Sequence, residues 1–153
     1  MIGIVIIAHA PLASALRDCA KHVYTCDAAA YERLRVLDVA ASADVNATLA
    51  QARILVKEAA GDGGTLVFTD AFGATPGNVA QQLAEPGNTA VIAGVNLPML
   101  LRALCYRGER LAEVEAKAVA GGHQGIVQVL ATPVQHQAHR PQGHDQQRLH
   151  HQQ

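Results

Sequence analysis

Short apolar runs and amphipathic segments alternate along the first 130 residues. A continuous apolar run within Ile4–Ala10 predicts a buried strand, and further strands are predicted at 34–39, 65–69 and 89–93. Apolar residues at helical spacing predict the intervening helices, at 12–23, 45–59, 76–83, 97–106 and 111–120. This alternation is typical of parallel strands joined by crossover helices. It predicts a doubly wound α/β fold, with a mostly parallel four-stranded sheet and helices on both faces.

Several polar and glycine residues mark the expected ends of these helices. Ser42 and Asp44 are candidate N-caps of the second helix. Thr75 followed by Pro76 resembles an N-cap and first-turn pair, and predicts that the third helix begins there. Gly121-Gly122 is expected to end the last helix.

The chain changes character towards its C-terminus. The apolar run GIVQVL at 125–130 predicts a last strand, which can pair with an open sheet edge in its own or a neighbouring subunit. Residues 132–153 are rich in Gln and His and contain too little apolar surface to fold. We therefore predict a domain at 1–131 and a disordered tail at 132–153. Metal capture by the tail histidines is the alternative, but they lack a fixed ligand spacing.

Length and composition restrict the class of protein. A chain of 153 residues corresponds to about one domain, and its net charge of −1 gives no electrostatic reason to bind nucleic acid or an anionic membrane. The N-terminal apolar run is too short to span a bilayer, so we expect a soluble cytoplasmic protein without membrane insertion. Three cysteines without CxxC spacing are expected to be reduced thiols that pack rather than react. No metal or cofactor is expected, since nucleotide-binding and hydrolase motifs are absent.

Two of the predicted strands end in residues that can carry chemistry. His9 ends the first strand and Asp70 follows the third, and the carboxyl ends of parallel strands meet at one edge of a sheet. A carboxylate that accepts from one imidazole nitrogen leaves the lone pair of the other nitrogen pointing outward. A histidine satisfied by a backbone carbonyl is the alternative for His9 alone. Its combination with Asp70 favours transient phosphorylation of His9.

The turn after Asp70 adds groups that suit a phosphoryl ligand. Gly73 and Ala74 allow backbone N–H groups to approach closely, and Thr75 supplies a hydroxyl at the predicted helix start. Phosphoryl transfer depends mostly on positioning and charge stabilisation, which such donors provide. The alternative is that Asp70 and Thr75 only cap a turn and a helix. In the company of His9 they favour a phosphoryl-transfer site.

Three stretches resemble the IIA domain of the mannose-type sugar phosphotransferase system: IVIIAHA, LVFTDAFGATPGNVA and VIAGVNLPMLLRAL. The resemblance covers residues 1–131, and the three motifs occur in the family's order. The chain departs from the family pattern at Ala10-Pro11 and Ala74, where glycine is frequent, and at Thr75, where serine is common. These departures keep the hydroxyl and the backbone donors.

The resemblance implies a phosphoryl carrier. It implies that His9 is phosphorylated by the phosphocarrier HPr and passes the group to a IIB protein. It also implies that Asp70 orients the histidine, that the turn from Phe72 through Gly73 and Ala74 to Thr75 contacts the phosphate, and that Asn96 and Pro98 border the site. Since the sequence ends after the tail, a separate IIB protein is expected, with possible association to the membrane components IIC and IID. Related domains form homodimers by exchanging an antiparallel edge strand, which implies the same for residues 125–130.

Other functions remain open from the sequence. A regulatory module whose phosphorylation state is sensed by a partner protein would have an identical site. Neighbouring genes for IIB, IIC and IID proteins would favour sugar transport over that role. A ligand-binding α/β domain without phosphotransfer is a third interpretation, which labelling by phospho-HPr would exclude. The phosphocarrier subunit of dihydroxyacetone kinase is similar in fold, but its usual turn after the third strand differs from TDAFGATP.

Overall fold

A computed structural model describes residues 1–25 and 28–130 of the chain. The strands are β1 (Gly3–His9), β2 (Leu34–Val39), β3 (Thr65–Thr69) and β4 (Thr89–Ala93). The helices are α1 (Leu12–Val23), α2 (Val45–Ala59), α3 (Thr75–Gln81), α4 (Leu97–Tyr106) and α5 (Leu111–Gln124), with a short 3-10 turn at Ala28–Tyr31. The four strands and five helices predicted for residues 4–124 are all present, so the α/β prediction is confirmed.

The four strands form one parallel sheet in the order β2-β1-β3-β4. In the register of β1 with β3, Ile7 lies opposite Thr69. On its other side β1 pairs with β2 as far as His9, which lies opposite Val39. From β1 the chain crosses to β2 on one side of β1, and then returns to β3 on the other side of β1. The strand order therefore reverses between β1 and β3. In open α/β sheets the crevice at such a reversal is the usual ligand site.

Helices cover both faces of the sheet, because side chains alternate along each strand. Ile4, Ile6 and Ala8 of β1 face one core, together with buried residues of α1, α4 and α5. Val5 and Ile7 face the other core, together with buried residues of α2 and α3. Burial on both faces explains why β1 and β3 are almost entirely apolar in the sequence, whereas the edge strand β2 contains the partly buried Arg35 and Asp38.

Helix α5 is longer than the glycines in its sequence predict. It continues through Gly121 and Gly122 to Gln124, so the predicted helix end at these glycines is wrong. A Cβ on Gly121 would lie 2.9 Å from the Cβ of Arg102, and one on Gly122 would lie 2.6 Å from the Cε of Met99. The glycines therefore allow α5 to pack closely on α4, instead of ending the helix.

The segment 126–130 is not a strand in the described chain. Ile126 and Val129 are 78% and 90% exposed, and the Ile126 N–H donates to the carbonyl of His123 instead of to a strand. The predicted last strand is thus absent from a single chain, since a strand needs a hydrogen-bonded neighbour. The open edges of the sheet are β2 and β4.

The remaining expectations from the sequence concern the cysteines, the tail and membrane-spanning helices. Cys19 and Cys105 are exposed free thiols, so the prediction that the cysteines pack is wrong for these two. Cys26 and the tail 132–153 lie outside the described residues, and the domain boundary at 131 stays a prediction. In the described ranges, no helix combines the length and the apolar character needed to cross a bilayer.

Candidate functional site

His9 and Asp70 are in direct contact at the carboxyl ends of β1 and β3. The Nδ1 atom of His9 lies 2.7 Å from Oδ2 of Asp70. The backbone N–H of His9 donates to the same Oδ2 at 2.9 Å. The structure thus confirms the predicted proximity of the two residues, which are 61 positions apart in the sequence.

The carboxylate of Asp70 is held in its ionised form. Burial raises its pKa, but hydrogen bonds outweigh this effect and the pKa is lower than that of an ordinary aspartate. The donors are the backbone N–H of His9, its ring, and the backbone N–H of Ala71, which donates to Oδ1 at 2.8 Å. Donors to a carboxylate favour its charged form, which accounts for the direction of the shift.

This pairing fixes the state of the imidazole. An ionised carboxylate only accepts hydrogen bonds, so Nδ1 of His9 carries the proton. The lone pair of the neutral ring is then on Nε2. The His9 side chain is 49% exposed, whereas that of Asp70 is 14% exposed. The geometry therefore places a half-exposed imidazole, with its free lone pair on Nε2, beside a shielded negative charge.

The loop from Ala71 to Ala74 follows Asp70 directly and lies at the surface. Phe72 is 84% exposed, although it is a large apolar side chain. Gly73 has a φ of 82°, a left-handed conformation that favours glycine. In the described part of the chain, the backbone N–H groups of Gly73 and Thr75 have no hydrogen-bond acceptor. They are donors available to a ligand.

Thr75 is the first residue of α3 and not its N-cap, so this detail of the prediction is wrong. Ala74 occupies the cap position without a side-chain hydrogen bond, and its carbonyl accepts the N–H of Asn78 at 2.8 Å. Pro76 is then the second helical residue, where its missing N–H costs nothing. Since the Thr75 hydroxyl caps nothing in the described residues, it is available to an anion.

Gly77 is a residue of this region that the sequence analysis missed. A Cβ at Gly77 would lie 2.5 Å from the carbonyl oxygen of Ala71. Only glycine therefore allows α3 to pack directly beneath the loop that carries Asp70. A glycine inside a predicted helix that starts at a candidate site is the signal that could have drawn attention to it.

Asn96 and Pro98 have structural roles at the start of α4. Oδ1 of Asn96 accepts the N–H of Met99 at 3.0 Å, and its amide donates to the carbonyl of Gly122 at 3.3 Å. A Cβ on Gly125 would contact Pro98, which places the start of α4 against the end of α5. The β4–α4 turn meets the site through Gly94, whose N–H is 3.0 Å from the carbonyl of Asp70. The structure therefore brings this turn, but not the Asn96 side chain, into contact with Asp70.

A cavity of about 810 Å³ begins at the loop and follows the open edge of the sheet. Phe72 and Gly77 line it near the site, and residues of β4 and α5 line it farther away. Thr69, which is 1% exposed, also lines it, and its hydroxyl has no hydrogen-bond partner in the described residues. No group of three or more His, Cys, Asp or Glu side chains in those residues is arranged to hold a metal ion.

Comparison with known proteins identifies relatives of this chain. The family EIIA-man, described as "PTS system fructose IIA component", matches residues 3–120. The mannose-specific EIIAB component of Escherichia coli (strain K12) is 36% identical over 81 residues, which cover 51% of this chain and 25% of that protein. The match thus spans about a quarter of the length of this relative.

Two solved structures have the same fold as this chain over most of their length. The phosphotransferase system component EIIA from Streptococcus agalactiae has a TM-score of 0.72 at 26% identity, covering 84% of this chain and 97% of its own. The mannose/sorbose-specific IIA subunit from Enterococcus faecalis has a TM-score of 0.71 at 24% identity, covering 86% and 96%. Since the family match covers most of residues 1–131, the chain belongs to the EIIA-man family of IIA components of sugar phosphotransferase systems.

Proposed function

We propose that His9 carries a phosphoryl group between phospho-HPr and a IIB protein during sugar uptake and phosphorylation. The observation that carries the proposal is the contact of 2.7 Å between Nδ1 of His9 and Oδ2 of Asp70. It leaves the lone pair on Nε2 of a half-exposed ring, and we assign this nitrogen as the nucleophile. Family membership supports the same activity at a coarser level, that of a phosphotransferase.

The proposed reaction proceeds in two balanced steps. Nε2 of His9 attacks the phosphorus of phospho-HPr, a bond forms between phosphorus and Nε2, and the bond from phosphorus to the donor atom of HPr breaks, its electron pair staying on that atom. In the second step a nucleophile of the IIB protein attacks the same phosphorus, and the electron pair of the breaking bond returns to Nε2. Nδ1 keeps its proton throughout, and Asp70 balances the positive charge of the phosphorylated ring.

The loop supplies the groups that would receive the phosphoryl oxygens. The N–H groups of Gly73 and Thr75 and the Thr75 hydroxyl are unengaged in the described residues. Preorganised donors of this kind stabilise the charge of a transferring phosphoryl group. The backbone of Ala74 and the exposed ring of Phe72 complete the proposed surface, with Phe72 contacting the docked protein. Asn96 and Pro98 act indirectly, by fixing the β4–α4 turn beside Asp70.

The proposal extends to location and assembly. We propose a cytoplasmic protein that accepts the phosphoryl group from HPr, passes it to a IIB protein, and associates with the membrane components IIC and IID. The relative from Escherichia coli is named an EIIAB component, which supports a IIB partner for this domain. A homodimer formed through residues 126–130 is also part of the proposal, supported by their exposure.

Labelling with phosphoenolpyruvate, the general phosphotransferase enzyme and HPr tests the assignment. We expect one phosphoryl group per chain, in an acid-labile and alkali-stable phosphoramidate, and no label on His9→Ala. His22→Ala is the matched control, because His22 is an exposed histidine of α1. It should be labelled like the wild-type protein. Labelling of a folded His9→Ala variant at the wild-type level would refute the proposal.

A further inference from the structure

The first turn of α1 is held by a carboxylate from a neighbouring strand. Asp38 is the second-to-last residue of β2 and lies opposite Ala8 of β1. Its Oδ1 accepts the backbone N–H of Ser14 at 3.1 Å. Ser14 is the third residue of α1, and α1 begins three residues after His9.

This contact replaces a cap that α1 otherwise lacks. Pro11, at the cap position, makes no side-chain hydrogen bond, and the first turn of α1 contains no acidic residue. The first N–H groups of a helix need acceptors from outside it, and a negative charge there is favourable. Asp38, on β2, supplies both an acceptor and a negative charge to the start of α1. The Ser14 hydroxyl donates to the carbonyl of Pro11 at 3.1 Å, which closes the turn.

The segment from His9 to Ser14 is therefore attached to its neighbours at successive points. The N–H of His9 donates to Asp70, that of Ala10 donates to the carbonyl of Val39 at 3.0 Å, and that of Ser14 donates to Asp38. Asp38 is the only side chain of β2 among these three attachments. Without it, the chain beyond Ala10 loses its hydrogen bond to β2, and the first turn of α1, which follows His9 closely, is held by packing alone.

We propose that Asp38 is a positioning residue for the reaction at His9. By fixing the first turn of α1, it keeps the imidazole in register with Asp70. It makes no contact with the reacting nitrogen. This inference rests on the proposed carrier function of His9 for its kinetic consequence, but not for its structural one.

A pair of matched variants separates positioning from stability. Asp38→Ala removes the contact with Ser14, whereas Asp44→Ala removes the equivalent contact at α2, where Asp44 accepts the N–H of Ala47 at 2.8 Å. In the described residues no hydrogen bond joins Asp44 to His9 or Asp70. Both variants should melt at similarly reduced temperatures. Only Asp38→Ala should slow single-turnover transfer from phospho-HPr, by about 10-fold, as expected for a partner that orients a reactive histidine.

A second readout does not depend on phosphorylation. Nitrogen-15 NMR of the His9 ring should show the Nδ1–H tautomer as dominant in the wild-type protein and in Asp44→Ala, and a smaller share of it in Asp38→Ala. If the wild-type protein is not labelled, the carrier function fails, while the NMR result still decides whether Asp38 positions His9. Asp38→Asn keeps an acceptor oxygen and should restore most of the rate and the tautomer share.

Three outcomes would overturn the inference. The first is a folded Asp38→Ala variant with wild-type tautomer populations. The second is an equal loss of transfer rate in Asp44→Ala. The third applies even if Asp38→Ala does not fold: a loss in Asp38→Asn as large as that in Asp70→Asn would show that charge, and not the bond to Ser14, is what matters.

Discussion

Asp70 performs two tasks with its two carboxylate oxygens. Its Oδ2 accepts both the backbone N–H and the ring of His9, while its Oδ1 closes the following turn at Ala71. Replacing Asp70 by Asn keeps the shape but removes the charge that balances a phosphorylated imidazole. We expect phosphotransfer to Asp70→Asn to be about 10- to 100-fold slower. An unchanged rate would reduce Asp70 to a structural role.

The lowered pKa of Asp70 also predicts an acid-dependent stability. A carboxyl group whose pKa is lower in the folded protein stabilises it fully above its unfolded pKa, and this contribution disappears as the pH falls through the folded value. The melting temperature of the wild-type protein should therefore exceed that of Asp70→Asn at pH 5, and the difference should shrink as the pH is lowered towards 3. Thermal scans across this range measure it, and a constant difference would contradict the argument.

The sequence predicts which residues meet at the ends of neighbouring parallel strands. It does not predict a contact between a strand side chain and the start of a helix. His9 and Asp70 could be paired in advance because parallel strand ends meet at one sheet edge. Asp38 could not be assigned to α1, because it lies 24 residues from Ser14 and rules for helix caps consider adjacent residues. The predicted start of α3 is one position too late, since a Thr-Pro pair fits both the cap position and the first turn.

Among the elements, the strands are the most predictable. The bounds of β2, β3 and β4 agree with the predicted bounds, because short strand-like segments alternate clearly with amphipathic helical segments in the sequence. The end of α5 is the least predictable, because Gly121 and Gly122 serve helix packing there. A glycine that allows close packing and one that ends a helix have the same sequence signal. Only the contact with α4 distinguishes them.

Gly77 offers a test of how tightly α3 supports the loop after Asp70. In Gly77→Ala the new Cβ would lie 2.5 Å from the carbonyl oxygen of Ala71, so α3 or the loop must shift. Overpacking of this kind costs about 1–3 kcal/mol, and the shift should also slow phosphotransfer. Chemical denaturation and labelling rates measure the two effects.

Gly108→Ala is the matched control for this variant. An added Cβ there has no neighbour within 4 Å, and Gly108 does not adopt a positive φ. It should be close to the wild-type protein in both measurements. If Gly77→Ala behaves in the same way, the loop tolerates movement of α3, and the fit at Gly77 is not needed for the site.

For the whole molecule, the open edge at β4 and the exposed segment 126–130 predict a dimer. Val129 and Ile126 are mostly exposed in one chain, and the cavity along β4 is lined by residues of that strand. An extended apolar segment from a second copy would cover this edge. Light scattering on a chain ending at Gly125 should therefore show a monomer, and a chain ending at Leu130 should remain a dimer.

These two truncations also examine the assignment of the last segment. A dimer that persists in the chain ending at Gly125 would show that helices, and not residues 126–130, hold the subunits together. The sequence predicts a strand here from a short apolar run, and the family resemblance implies that it is exchanged between subunits. Because the partner of a strand can belong to another copy, no single-chain argument could decide where it pairs.

The double contact between Asp70 Oδ2 and His9 has a consequence for the order of events in transfer. Rotating the imidazole away would break its hydrogen bond to the oxygen that also accepts the backbone N–H, which favours the ring in its present position. In the proposed function, an imidazole held in this position receives and releases the phosphoryl group at one place. Donor and acceptor proteins would then exclude each other and visit in turn, and the phosphorylated domain itself becomes the obligatory substituted-enzyme form of a ping-pong cycle.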